Sequence, residues 1–508
     1  MTVARTWSIA LNGLEGSLVE VEADVSQQTP EFRIIGLGDR ALGEAVQRVH
    51  NACANSGLPL PRRRLTVNLS PASLPKHGSG FDVAIAIAAL TADGGMDAAS
   101  VAGTVHIGEL GLDGRLRPVA GVLPAVVAAA RAGRRRIVVP AANGEEAQLA
   151  TGIEVLPAAT LAEVAARHGA DVVVPDVPPP MRPAAADEEH ELLDLSDVIG
   201  QREAVEALVV AAAGGHHLLM SGPPGAGKTM LARRLPGILP PLDREAALAV
   251  ASVRSLSGEA VTSLTRVPPL EAPHHTASVA ALVGGGSRVI RPGAIARASE
   301  GVLFLDEAGE FPASVLDALR QPLERGDIHI HRSGVSVRYP ARFQLVLATN
   351  PCPCGNYGVR GATCECPPAA IRRYLGRLSG PLLDRVDIDL PMRRVAAVGV
   401  DAAVGRVSTA EAAGRVADAR ARTAERLART PWRRNVDVPG RWLREGPSAP
   451  PAAVRAPLDA ALERGQLTLR GYDRVLRLAW TLADLAQRAV PTQEDIGRAL
   501  FMKRGIAA

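Results

Sequence analysis

Apolar positions along the chain follow three different rhythms. In LTVNLSPASLP (65–75), Leu65, Val67 and Leu69 alternate with polar neighbours, which predicts a strand with an exit turn at Ser-Pro. FDVAIAIAAL (81–90) is an unbroken run of small apolar residues and predicts a helix. LPAVVAAARAG (123–133) reads as a helix closed by glycine, and RRIVVP after it as a strand. Residues 1–175 are therefore expected to form an α/β domain. Further on, the apolar runs in HHLLMSG, GVLFLDEAGEF (301–311) and FQLVLATN (343–350) are short and continuous, as in parallel strands buried on both faces. GDIHIHRSGVSVRYPARF (326–343) alternates strictly and predicts a β-hairpin turning at Arg332-Ser-Gly334. Residues 396–508 return to helical spacing, as in STAEAAGRVADARARTAERLA (408–428) and GYDRVLRLAWTLADLAQRA (471–489). They predict a helical lid with a proline-rich central loop.

Between the first two units, PDVPPPMRPAAADEEHELLD (175–194) has little to bury, so residues 176–194 are expected to be an acidic, proline-rich linker. Residues 195–395 form the unit that carries most of the chemistry. Of the 508 residues only 3% are aromatic, so aliphatic side chains must fill the cores. The net charge of +4 permits nucleic-acid binding without arguing for it. Basicity is local, at Arg62 to Arg64, at Arg131, Arg134, Arg135 and Arg136, and at Arg433 and Arg434, where solvated surface and phosphate track both remain open. No apolar stretch reads as a secretion signal or a membrane span, and four of five cysteines fall within fifteen residues. A cytoplasmic protein without a secreted disulfide framework is expected.

The strongest chemical signal is HHLLMSGPPGAGKTMLARRL (216–235), a strand, a glycine-rich loop and a helix. Gly222, Pro223, Pro224, Gly225, Ala226 and Gly227 let backbone N–H groups turn inward on phosphates. Lys228 is expected to reach the β- and γ-phosphates of ATP, and Thr229 to hold Mg²⁺. Asp306 and Glu307 close the strand in GVLFLDEAGEF, which suits Asp306 for the magnesium shell and Glu307 for activating water. Asn350 ends the next strand, where an amide can orient that water or sense the γ-phosphate. DLSDVIGQ (194–201) leads into the module. In PLLDRVDI (381–388), Arg385 is either a structural ion-pair partner or an arginine finger for a neighbouring subunit. Arg470, at the start of the last long helix, is the candidate second sensor, with Arg474 and Arg477 competing on the same face.

Three further segments could touch a ligand. His329, His331, Arg332 and Arg338 on the hairpin are candidate contacts to a phosphate backbone, against an exposed hairpin with no ligand. EAPHHTASVAALVGGG (271–286) pairs His274 with His275 ahead of a glycine hinge, and is read as a conformational loop near a pore rather than a metal site. CPCGNYGVRGATCEC (352–366) sets Cys352 and Cys354 against Cys364 and Cys366. These can converge on a structural Zn²⁺ or remain reduced or redox-active thiols, the CxC spacing being tighter than usual for zinc.

Together GPPGAGKT, APHHTAS with VGGG, GVLFLDEAGEF, ARFQLVLATNPCPCG and LSGPLLDRVDI resemble the ComM/YifB family of Mg-chelatase-like AAA+ ATPases over essentially the whole chain. The resemblance implies an AAA+ P-loop core with a Lon-protease-like N-terminal α/β domain, itself a relative of a ribosomal-protein domain, and a C-terminal helical lid. It also implies a homo-oligomer, a hexamer, which acts on single-stranded or branched DNA by branch migration alongside recombination proteins. Proteolysis is not expected. In KHGSGFD (76–82) the Lon serine position falls on Gly80, and in AGVLPAVVAAARAG (120–133) the lysine segment holds Leu123 and Ala125. The competing classes are a chelatase motor subunit and an ATP-dependent assembly scaffold.

Overall fold

The computed structural model describes residues 3–36, 44–178, 193–286, 290–332, 335–359, 361–395 and 406–504. Most of the expected linker (179–192), the hairpin turn at Ser333 and Gly334, and the Arg332 side chain lie outside the described residues.

The N-terminal unit is built on a seven-stranded mixed sheet. Its strands are β1 (Ala4–Asn12), β2 (Glu15–Ser26), β3 (Glu31–Ile35), β4 (Arg64–Ser70), β5 (Thr104–His106), β6 (Arg136–Pro140) and β7 (Glu154–Ala158), in the order β3-β4-β2-β1-β5-β6-β7. β1 and β2 form an antiparallel hairpin, and β5, β6 and β7 run parallel. Alternation in β4 puts Leu65, Val67 and Leu69 inside, as its sequence predicts. Three helices bear on the argument: α1 (Ala45–Asn55), α2 (Asp82–Ala92) and α3 (Val122–Arg131). Every residue of α2 is buried, and its alanines let it lie close against β1 and β2.

The second unit begins with α4 (Arg202–Gly214) and β8 (Leu218–Ser221), followed by α5 (Lys228–Ile238) and α6 (Arg244–Ser257). Four more strands follow in chain order: β9 (Leu270–Glu271), β10 (Val302–Leu305), β13 (Gln344–Thr349) and β14 (Ile388–Pro391). Between β10 and β13 lies a separate hairpin of β11 (Asp327–Arg332) and β12 (Val335–Pro340). The five-stranded sheet is wholly parallel, in the order β9-β10-β13-β8-β14, with Phe304 beside Val346 and Leu218 between Val346 and Ile388. All of β10 and β13 is buried. That accounts for their unbroken apolar runs, at about 1.5–3 kcal/mol for each large side chain removed from water. The exits of β8, β10 and β13 therefore line up along one edge, where open α/β sheets bind ligands.

The C-terminal region is largely helical: α7 (Thr409–Arg426), α8 (Ala452–Glu463), α9 (Leu469–Leu485) and α10 (Gln493–Arg504). It shares one core with α4 and α5, through Val416, Val475, Leu478 and Trp480. The expected proline-rich central loop lies between α7 and α8, where Pro431, Pro439, Pro447, Pro450 and Pro451 fall in mostly irregular chain interrupted by a short helix (Gly440–Glu445). Pro451 caps α8, and one further proline, Pro457, lies within that helix.

The N-terminal unit is docked on the second. Gly121 N donates to Ser255 O at 3.0 Å, and Ser255 Oγ hydrogen-bonds Glu146. The β1–β2 turn presses on the β11–β12 hairpin: Leu14 packs against the core cluster that holds Ile328, Ile330 and Val337, and a Cβ on Gly13 (φ +66°) would lie 2.5 Å from Arg338 O and 2.9 Å from Val337 Cγ1.

Candidate functional site

At the exit of β8 the chain curls through Gly222 to Gly227 before α5 opens at Lys228. Gly225 (φ +77°) and Gly227 (φ +88°) take left-handed backbone that side chains disfavour, and this is the geometry of an N–H phosphate cradle. Gln201, in the lead-in segment, donates to Ala226 O at 3.1 Å and fixes the loop from behind. Lys228 is buried. Its Nζ donates to Gly222 O (2.6 Å), Pro223 O (3.0 Å) and Asn350 Oδ1 (3.0 Å). Burial lowers the pKa of this ammonium, and the charges of Asp306 and Glu307 oppose that shift.

Thr229 Oγ1 donates to Asp306 Oδ2 at 2.6 Å, so an oxygen from the first turn of α5 and one from the exit of β10 meet beside the P-loop. They are hard ligands of the kind Mg²⁺ takes. Asp306 Oδ1 accepts the Glu307 N–H at 2.9 Å. Glu307 sits in left-handed backbone (φ +53°), and its side chain is 54% exposed beside the loop. The sequence-predicted residues Lys228, Thr229, Asp306, Glu307 and Asn350 thus come together on one sheet edge.

His275 joins them and was missed at this position by sequence reasoning. It lies on the loop leaving β9, with Nδ1 3.4 Å from Glu307 Oε2 and the His274 ring 4.1 Å away. β9 has only two residues, too few to announce a strand whose exit would face Glu307.

Arg385 and Arg470 stand elsewhere. Arg385 is buried, ion-paired with Glu324 and bonded to Pro381 O, so within one chain it takes the structural role left open above. Asp387, two residues on, pairs with Arg474 and accepts the His217 N–H at 2.9 Å, at the start of β8. Arg477 donates to Val438 O, while Arg470 is exposed at the start of α9. Arg385, Asp387, Arg474 and Arg477 lie towards the strand starts, and the P-loop lies at the strand exits. A cavity of about 830 Å³ opens at that far end, with His217, Gln344, Arg434 and Arg474 in its lining.

The hairpin forms in the expected register, His329 opposite Arg338. Its apolar face, Ile328, Ile330, Val337 and Tyr339, is buried, and His329, His331 and Arg338 are exposed. Asp327 lies among them, 2.8 Å from Arg338 and 3.5 Å from His329, and offsets part of their charge. The four cysteine sulfurs converge within 4.8 Å of one another, with separations of 3.3, 3.7 and 3.6 Å among Cys352, Cys354 and Cys364. A sulfur tetrahedron around zinc at about 2.3 Å has edges of roughly 3.8 Å, so the set fits that ion.

This parallel order, the P-loop, the acidic pair at the next strand exit and the helical C-terminal region define an AAA+ type P-loop ATPase. The chain matches the family descriptions "Magnesium chelatase, subunit ChlI" over 194–399, "Subunit ChlI of Mg-chelatase" over 21–143 and "Magnesium chelatase, subunit ChlI C-terminal" over 406–503. It is 48% identical over 507 residues to an uncharacterized protein of Mycobacterium tuberculosis, covering 99% of both chains. It is 39% identical over 504 residues to competence protein ComM of Haemophilus influenzae, covering 98% of this chain and 97% of that one. To YifB of Escherichia coli, also uncharacterized, it is 38% identical over 510 residues, covering 98% and 97%. The chain belongs to the Mg-chelatase/ComM–YifB family of AAA+ ATPases, and it is an ATP-hydrolysing enzyme. No helix among the described residues is long and apolar enough to cross a membrane.

Proposed function

We propose that the chain is the subunit of a hexameric ring motor that drives branch migration of DNA during recombination or transformation, together with recombination proteins. The observation that carries this reading is the β11–β12 hairpin. It lies in the chain between β10 and β13, the two strands that lead out to Glu307 and Asn350, with exposed His329, His331 and Arg338 on the face away from the core. A change at the γ-phosphate reaches it through β10 and β13. Near-full-length similarity to a protein named for competence supports DNA as the polymer.

In the hydrolytic step, Lys228 binds the β- and γ-phosphates and Thr229 and Asp306 hold Mg²⁺. That ion, when bound, offsets the phosphate charge. Glu307 takes a proton from the attacking water, and Asn350 orients that water. Arg385 leaves Glu324 to meet the phosphoryl group of the neighbouring subunit, and Arg470 reaches the same site from the lid. The N-terminal domain, Lon-protease-like in fold, is a platform for DNA or a partner. The four cysteines hold structural Zn²⁺.

The rival reading is a chelatase motor, favoured by the ChlI name of all three family descriptions. ATP-dependent movement of a labelled synthetic four-way junction by the purified chain, lost in Lys228→Ala, is the expected result. ATP hydrolysis without junction binding or movement would overturn the DNA reading and leave the chelatase one.

A further inference from the structure

The four-cysteine cluster is joined to the nucleotide site in two places. Asn350, whose Oδ1 holds Lys228, is separated from the buried Cys352 by Pro351 alone. Three residues further on, Gly355 (φ +78°) brings its backbone onto the P-loop, where a Cβ would lie 2.4 Å from Pro224 Cδ. From the other side Arg394 Nε donates to Pro224 O at 3.1 Å. Pro224 is thus gripped between the cysteine loop and the segment after β14.

Among the described residues the cysteine loop is held mainly by short-range turn hydrogen bonds, Gly355 N to Cys352 O at 3.0 Å, Val359 N to Asn356 O at 3.1 Å and Ala362 N to Val359 O at 3.2 Å, with Tyr357 N on Cys352 Sγ at 3.3 Å. Apart from the cysteine contacts, it is Asn356 Nδ2, donating to Thr363 O at 3.3 Å, that reaches across the loop. Thiols are weak hydrogen-bonding groups, and closing a loop of about ten residues costs entropy that such contacts offset poorly. An ion bound by four sulfurs would supply the missing crosslink between the Cys352–Cys354 and Cys364–Cys366 pairs.

We infer that the cluster is a zinc-dependent clamp on the P-loop. With Zn²⁺ bound, Gly355 stays seated on Pro224 and Asn350 stays on Lys228, and without it the phosphate cradle loosens and nucleotide affinity falls. The inference deepens the proposed function and rests on the zinc reading given there. It makes the cluster a regulatory contact, through which zinc supply sets how much of the protein can bind nucleotide.

The test uses the full chain. Zinc content is measured directly, and Co²⁺ substitution is followed by thiolate charge-transfer and tetrahedral ligand-field absorption. A fluorescent ADP analogue with Mg²⁺ is titrated into loaded protein, into protein stripped by a chelator under reducing conditions, and into stripped protein given back stoichiometric Zn²⁺. One zinc per chain is expected, with affinity weaker by about tenfold or more on stripping and restored on re-addition. Gly355→Ala is expected to keep zinc and the cobalt spectrum while losing nucleotide affinity by about tenfold, because the added Cβ meets Pro224. Should that variant fail to fold, stripping and re-addition on the unaltered chain decide the matter alone. Stoichiometric zinc whose removal leaves nucleotide affinity unchanged would overturn the clamp and leave the zinc site. Absence of both bound zinc and the cobalt spectrum would overturn the two together, while the junction assay would still judge the DNA reading separately.

Discussion

Arg474→Ala is expected to destabilise the docking of the C-terminal helices on the ATPase core, by an amount that the structure bounds. Asp387, the partner of Arg474, is fully buried. Burial alone would push its pKa up, but Arg474 and the adjacent His216 hold it well below the usual carboxylate range, so the folded chain carries an ionised carboxylate there. Removing one partner of such a pair costs about 3–5 kcal/mol, because the other charge is left buried and unpaired. The His217 N–H still bonds Asp387 at 2.9 Å, which places the expected loss near the low end, at about 3 kcal/mol. Combining Arg474→Met with Asp387→Asn removes both charges and is expected to recover about 2 kcal/mol of that loss.

Tryptophan fluorescence in urea reads this directly. Once Trp7 is replaced by Phe, the remaining tryptophans are Trp432, Trp442 and Trp480, all in the C-terminal region, and Trp480 is buried in α9 under Arg426. Removing the exposed Arg441–Glu445 pair is the control and is expected to leave the transition in place. A loss below about 1 kcal/mol for Arg474→Ala, the value of an exposed pair, would refute the reasoning. So would a double variant as unstable as the single one.

Two further predictions concern the core. His275→Ala is expected to raise basal ATP turnover up to about fivefold by freeing the Glu307 carboxylate, since a half-exposed contact at 3.4 Å holds it by no more than about 1 kcal/mol; steady-state phosphate release at saturating ATP measures it, and unchanged or lower turnover would count against the contact. Burial lowers the pKa of His217 to about 4, and its Nδ1 accepts the Leu345 N–H at 3.0 Å, so the folded chain keeps it neutral. As pH falls from about 6.5 towards 4 the unfolded state gains a proton that the fold refuses, and up to about 3 kcal/mol of stability is lost; His217→Asn should flatten that slope in urea titrations across the range, and an unaltered slope would show that the charge change lies elsewhere.

What could be read from the sequence was what local pattern encodes. β10 was legible because burial on both faces leaves no polar position in it, β13 because Leu345 to Ala348 are apolar without a break between Gln344 and Thr349, and the P-loop because its glycines, Lys228 and Thr229 are contiguous. The hairpin register followed from alternation alone, since a shift by one residue would turn Ile328 and Ile330 to solvent. Contacts made across the fold were not legible. Nothing near Arg385 points to Glu324, 61 residues earlier, and nothing near His275 points to Glu307.

The division of charged groups between the two ends of the sheet bears on the proposed ring. Lys228, Thr229, Asp306, Glu307 and Asn350 meet at the strand exits, whereas Arg385, Asp387 and Arg474 meet at the starts. The four residues of β8 alone put about 13 Å between those ends. Arg385 is therefore too distant to serve the nucleotide site of its own chain without leaving the strand-start cluster. A head-to-tail contact, in which the strand-start end of one chain meets the P-loop end of the next, brings it into range with the fold intact. Such heterologous contacts generate rings when the rotation closes. On the proposed reading, the Arg385–Glu324 pair is then the resting state of a free edge, and oligomerisation supplies the phosphoryl group that competes with Glu324.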